Sequence, residues 1–115
     1  MNKTIVKKPW GQEEILEIND RYMVKKLTMK EGHRCSLQYH QKKRETIYIL
    51  QGQLRILTGQ TQQDLIARGY GPHESITIEP RVLHRMEAVK DSVYLESSSP
   101  EIDDVVRVQD DYQRK

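Results

Sequence analysis

Gln38 and His40 stand one residue apart, Glu45 follows four residues later, and His84 comes after the turn-like Glu79-Pro80-Arg81. On a β-strand, residues two positions apart project from the same face, so Gln38 and His40 would aim together. Glu45 opens the apolar run Thr46-Ile47-Tyr48-Ile49-Leu50, a second strand able to converge on the first. An amide oxygen, two imidazoles and a carboxylate suit a borderline divalent ion such as zinc, manganese, iron, cobalt or nickel. They also leave positions open for substrate or water. Taken singly, each residue reads as an ordinary surface or turn residue; the chemistry lies in their combined spacing.

Gly32, five residues, Gln38-Tyr39-His40, four residues, Glu45, six residues and Gly52 together resemble the first motif of the cupin superfamily. Gln38 stands where that motif has its first His. The run Ser36-Leu37-Gln38-Tyr39-His40 followed by Glu45 resembles, more narrowly, the cupin domain of type II phosphomannose isomerases (mannose-6-phosphate isomerase-like proteins). Lys8-Pro9-Trp10-Gly11-Gln12-Glu13 resembles that family's opening, and Asp103-Asp104-Val105-Val106-Arg107, Asp110 and Tyr112-Gln113-Arg114 resemble its close. The resemblance implies an all-β fold, a single cupin (double-stranded β-helix, or jelly-roll) barrel over residues 1–115. It further implies a metal held by Gln38, His40, Glu45 and His84. The chain departs from the pattern at the second motif, usually Pro-x-Gly-x2-His, where it reads Glu79-Pro80-Arg81-Val82-Leu83-His84. It departs again at Lys43 and Ile47, where the isomerases often carry an Arg and an aromatic residue. The residues before the motif are too few for a nucleotidyltransferase domain, so the expectation is a cupin that stands without one.

The positioning elements follow from periodicity. Short strand-like runs separated by turn signals predict a sandwich or barrel, with strands at residues 13–18, 22–29, 34–40, 46–50, 53–58, 64–67, 74–78, 84–88 and 93–97. Gly52-Gln53 marks a tight connection and residues 59–63 a hairpin tip; residues 103–109 read as a short helical turn with Asp103 or Asp104 near its start. Along 34–40 the even positions Arg34, Ser36, Gln38 and His40 are polar, while Cys35, Leu37 and Tyr39 are not. If the polar face lines a cavity, the apolar row looks outward and needs cover from an overlying strand or a second subunit. Ile47 and Ile49 share the face of Glu45, which predicts a cavity polar at its metal end and apolar at depth.

The 115 residues suit one domain, but 36% hydrophobic residues with no Phe and one Trp make a thin core, a second reason to expect a homodimer. A formal net charge of +2 excludes the strongly basic field of a nucleic-acid binder. The absence of any long apolar run argues against a signal peptide or a membrane span. A single Cys suits a reducing compartment, so the expectation is a cytoplasmic protein. Lys42 and Lys43 read as a solvated face, Cys35 as a small buried hydrophobe, and Trp10 either as packing or as a substrate platform.

Three functions are compatible with these residues. One is a metal-dependent aldose–ketose isomerase acting on a sugar phosphate or nucleotide sugar. It needs a base, for which Glu96, His73 and Glu79 are candidates, and a cation for the anionic group, for which Arg44, Arg81, Arg85 and Lys26 are candidates. The second is a non-catalytic metal- and sugar-binding sensor or accessory subunit. The third is an Fe(II) oxygenase, which needs two His and one carboxylate but has no use for Gln38 as a further ligand.

Overall fold

A computed structural model describes residues 4–112. Eleven strands are formed among them: β1 (Thr4–Lys8), β2 (Gly11–Ile18), β3 (Met23–Met29), β4 (Leu37–Tyr39), β5 (Glu45–Gln51), β6 (Leu54–Gly59), β7 (Ile66–Tyr70), β8 (Ser75–Ile78), β9 (Leu83–Ala88), β10 (Ser92–Ser98) and β11 (Val106–Gln109). They make two antiparallel sheets, a six-stranded one in the order β1-β2-β3-β10-β5-β8 and a five-stranded one in the order β11-β4-β9-β6-β7. This is the all-β architecture expected from the strand pattern, in the jelly-roll form that the resemblance implies. No helix among the described residues is long and apolar enough to cross a membrane.

Alternation explains the inner faces. In β5, Glu45, Ile47 and Ile49 are buried while Thr46 and Tyr48 are half-exposed; in β3, Met23, Lys25, Leu27 and Met29 turn inward and Lys26 outward. In β10 the inward set is Ser92, Tyr94, Glu96 and Ser98. Ile47, Ile49, Leu54, Ile56, Met86 and Tyr94 form the heart of a core shared by both sheets, each large aliphatic contributing roughly 1.5–3 kcal/mol by burial. Gly52, between β5 and β6, has φ +95°, and a side chain there would collide with the Asp91 carbonyl, so the turn requires glycine.

Four expectations are corrected. Residues 103–109 do not make a helical turn: Val106–Gln109 is a strand, pairing Val106 with Tyr39 and Arg107 with Gln38 along the open edge of β4. Its alternating β-branched residues suit a pleat better than a helix. β1 was not expected, and residues 64–67 are divided between a 3₁₀ turn (Gln62–Asp64) and β7. The alternation along 34–40 breaks, because only Leu37–Tyr39 is strand while Arg34 is held by an isolated bridge to Glu87. Cys35 therefore joins the core, its N–H donating to the Met86 carbonyl at 3.1 Å. Leu37 is 2% exposed within the single chain, so it needs no cover from a second subunit. Gln113 and Arg114 of the closing motif lie outside the described residues.

Candidate metal centre

β4 and its following loop bring His40, β5 brings Glu45 and β9 brings His84 to one point between the sheets. The three side chains are buried, and one ligand atom of each lies within 4.8 Å of the others. Glu45 Oε1 stands 3.2 Å from His40 Nε2 and 3.0 Å from His84 Nε2. None of these three atoms has a hydrogen-bond partner, because no contact among them has hydrogen-bond geometry. The other ring nitrogens explain this. His40 Nδ1 donates to the Asp104 carbonyl, and His84 Nδ1 donates to the Val82 carbonyl at 2.9 Å. A carbonyl only accepts, so each Nδ1 donates its hydrogen there, and each ring is held with Nε2 facing Glu45. Three ligand atoms converging in a buried site without hydrogen-bond partners leave room for a cation, and a divalent transition ion satisfies all three at once. The donor set therefore fits the metal expected from the sequence.

Glu45 is held well below the ordinary carboxylate range. Burial works against its charge, but His40, His84 and Lys43 outweigh it. Gln38 sits opposite His84 in the β4–β9 register and lines the same cavity. Its Oε1 accepts the Ser36 hydroxyl at 2.8 Å, which orients the amide and leaves a second lone pair. The altered second motif keeps its turn: Arg81 adopts φ +71°, the conformation a glycine would take, and donates its N–H to the His40 carbonyl at 2.6 Å. A non-glycine residue there carries about 1–2 kcal/mol of strain.

Beside this cluster is a cavity of about 390 Å³. Leu27, Cys35, Met86, Trp10 and Tyr94 give it apolar walls, and Gln38, His40, Lys43, Glu96, Lys25 and Glu13 supply its polar groups. Lys43, expected at a solvated face, is 5% exposed and donates to Glu96 at 2.9 Å, with Glu45 Oε2 at 3.8 Å. Burial opposes its charge, yet Glu96 and Glu45 hold the ammonium above its usual range. Glu96, also 5% exposed, is pushed up by burial and by the Glu45 charge. Burial likewise raises the Cys35 thiol to about 11, which leaves it an inert small hydrophobe.

The remaining candidates lie elsewhere. His73 is exposed in a turn, its Nδ1 3.0 Å from the Tyr48 hydroxyl, and does not line the cavity. Glu79 is paired with Arg44 on the surface at 2.9 Å. Arg81 points to an outer groove with Tyr39, Gln41 and Leu83. Arg85 is buried, donating to the Cys35 carbonyl at 2.8 Å and to Asp111 at 3.0 Å, a structural role. Lys26 faces out, and its neighbour Lys25 lines the cavity instead, 3.3 Å from Glu13. Parity with Leu27 and Met29 would have identified Lys25, and parity with Glu45 would have identified Lys43.

The family model described as mannose-6-phosphate isomerase C-terminal matches residues 1–110. The mannose-1-phosphate guanylyltransferase ManC of Salmonella typhimurium is 31% identical over 120 residues, and the mannose-1-phosphate guanylyltransferase of Escherichia coli K12 is 32% identical over 119. Each match covers 95% of this chain but 23% of the relative, so the chain spans about a quarter of the length of those proteins. Among solved structures, an RmlC-like cupin from Shewanella frigidimarina superposes with a TM-score of 0.76 at 17% identity, over 88% of this chain and 86% of that one. Oxalate decarboxylase from Bacillus subtilis gives a TM-score of 0.82 at 11% identity, over 93% of this chain and 30% of that one. At such identities the likeness is one of fold, a cupin barrel.

Proposed function

The chain belongs to the mannose-6-phosphate isomerase C-terminal family, and from that premise we propose that it is a metal-dependent isomerase of a phosphorylated sugar, converting aldose and ketose. The observation that carries this reading is Glu96, the one base candidate from the sequence that lines the cavity beside His40. An isomerase must take a proton from one carbon and return it to its neighbour, which calls for a carboxylate free of the metal and shielded from bulk water. Glu96 meets both needs, and its raised affinity for the proton suits a group that must hold and release one.

Gln38, His40, Glu45 and His84 would hold zinc, manganese, iron, cobalt or nickel. When bound, such an ion supplies Lewis-acid polarisation of the carbonyl and hydroxyl oxygens at C1 and C2. Lys43 keeps Glu96 oriented and balances its charge while it is ionised. Lys25, from the cavity wall, is the cation proposed to face the phosphate, and the apolar walls exclude water. Mannose phosphates are the first substrates to test, since the curated relatives are mannose-1-phosphate guanylyltransferases.

A second reading, a sugar-binding subunit without turnover, draws support from the same pair, because a Glu96 committed to Lys43 at 2.9 Å is a restrained base. One experiment separates them. With manganese or cobalt in deuterium oxide, the isomerase exchanges the C2 proton of mannose 6-phosphate with solvent. Glu96→Gln loses that exchange by roughly 100-fold or more while keeping its metal, and Glu45→Ala loses both. Ligand-induced thermal stabilisation without any deuterium in the sugar would instead establish the binding subunit.

A further inference from the structure

The segment 101–112 crosses the barrel mouth as a strap and meets the metal cluster at one residue. The Asp104 carbonyl accepts the His40 Nδ1 hydrogen, while its carboxylate accepts the backbone N–H groups of Gln41, Lys42 and Lys43 at 3.0, 2.7 and 2.9 Å. Those three residues belong to the loop 41–44 that joins His40 to Glu45. Immediately beyond Asp104, β11 pairs Arg107 with Gln38. Further on, Asp111 bonds Arg34 at 2.5 Å and Arg85 at 3.0 Å, and the Tyr112 hydroxyl lies 2.7 Å from His33 Nδ1. Ile102, Asp103, Val105 and Arg107 wall the cavity on this side.

We propose that Asp104 is a positioning residue for the metal site, and that docking of the strap and binding of the ion are one coupled event. The inference rests on the metal reading above. Its physical basis is the tautomer: His40 ligates through Nε2 only while Nδ1 carries the hydrogen, and the Asp104 carbonyl holds it there. The carboxylate adds a second restraint by fixing the loop that sets the spacing of His40 and Glu45. An undocked strap frees the ring to turn and the loop to move, so the ion binds the docked state more tightly. By linkage, the ion must tighten the strap by the same factor.

The test uses the full chain and zinc. Competition with a chromophoric chelator measures affinity for the wild type, Asp104→Ala and Asp104→Asn, and amide hydrogen exchange follows residues 41–43 and 104–109 with and without the ion. Asp104→Ala keeps the carbonyl but removes the carboxylate that fixes the loop and docks the strap, and is expected to weaken zinc binding by roughly 10- to 100-fold. Asp104→Asn, which keeps one acceptor oxygen, should fall between the two and supplies the readout if the alanine variant does not fold. In the wild type, zinc should slow exchange in both segments, an effect reduced in the variants. Unchanged affinity in both variants, or zinc-independent exchange in the strap, overturns the coupling while leaving the metal site intact. A wild type that binds neither zinc nor manganese overturns the coupling and the metal reading together.

Discussion

The Lys43–Glu96 pair shows what a single buried contact contributes. With both groups 5% exposed, their charges are tolerable only together. Lys43→Met should therefore lower stability in denaturant by about 3–5 kcal/mol at neutral pH, because it leaves Glu96 uncompensated. Adding Glu96→Gln to the same chain should restore most of that loss, and two independent, additive losses would show that the pair is not coupled. His40, Glu45 and His84 were legible in the sequence because they fall at the spacing of the cupin motifs the chain resembles, with strand parity aiming His40 alongside Gln38. Lys43 was missed because a run of Lys42-Lys43-Arg44 reads as solvated, although its parity with Glu45 points it inward. Asp104 could not be found by spacing at all, since the backbone groups it binds lie 61–63 positions away in the chain.

Long strands with one apolar face were readable at the level of elements, as in β3 and β10, where alternation is kept for seven residues each, and in β5, where it holds from Glu45 to Ile49. Short ones were not: β4 is three residues, too few to carry a period, and β11 exists because β4 offers it an edge. The five-stranded sheet also gains from a cross-strand charge group. Glu87 accepts from Arg34 at 2.9 Å and from Arg55, its register partner, at 2.7 Å. Burial pushes the Glu87 carboxyl up, but the two arginines outweigh it and hold it below its ordinary 4.5. A carboxylate whose folded pKa is depressed stabilises the native state above the unfolded value, and that contribution drains away as falling pH protonates it in the native protein. Glu87→Gln is therefore expected to cost about 1 kcal/mol at neutral pH. The cost should shrink on acidification through the carboxylate range, so variant and wild-type melting temperatures converge. A gap that stays constant with pH would assign the loss to packing.

For the molecule as a whole, the question is what covers the apolar surface that a 115-residue chain without Phe can spare. Cys35 and Leu37 are buried by the chain itself. The apolar residues left exposed include Ile5 at 53%, Ile66 at 71% and Val108 at 37%, on the edge strands β1, β7 and β11. These edges thus leave apolar side chains open to a second copy, whereas Leu37 on β4 is not. This changes what Leu37→Asp should do. A charge forced into an interface weakens association, and its effect on stability then varies with protein concentration. A charge forced into the interior of one chain unfolds that chain by a fixed amount, about 2–5 kcal/mol for losing a buried Leu and stranding a carboxylate. Leu37→Asp is expected to lower the denaturation midpoint equally before and after a roughly hundredfold dilution, while Ile66→Lys leaves it within about 0.5 kcal/mol of wild type. Sedimentation of both variants completes the comparison: a Leu37→Asp chain that stays folded but loses association would return Leu37 to an interface and reverse the assignment.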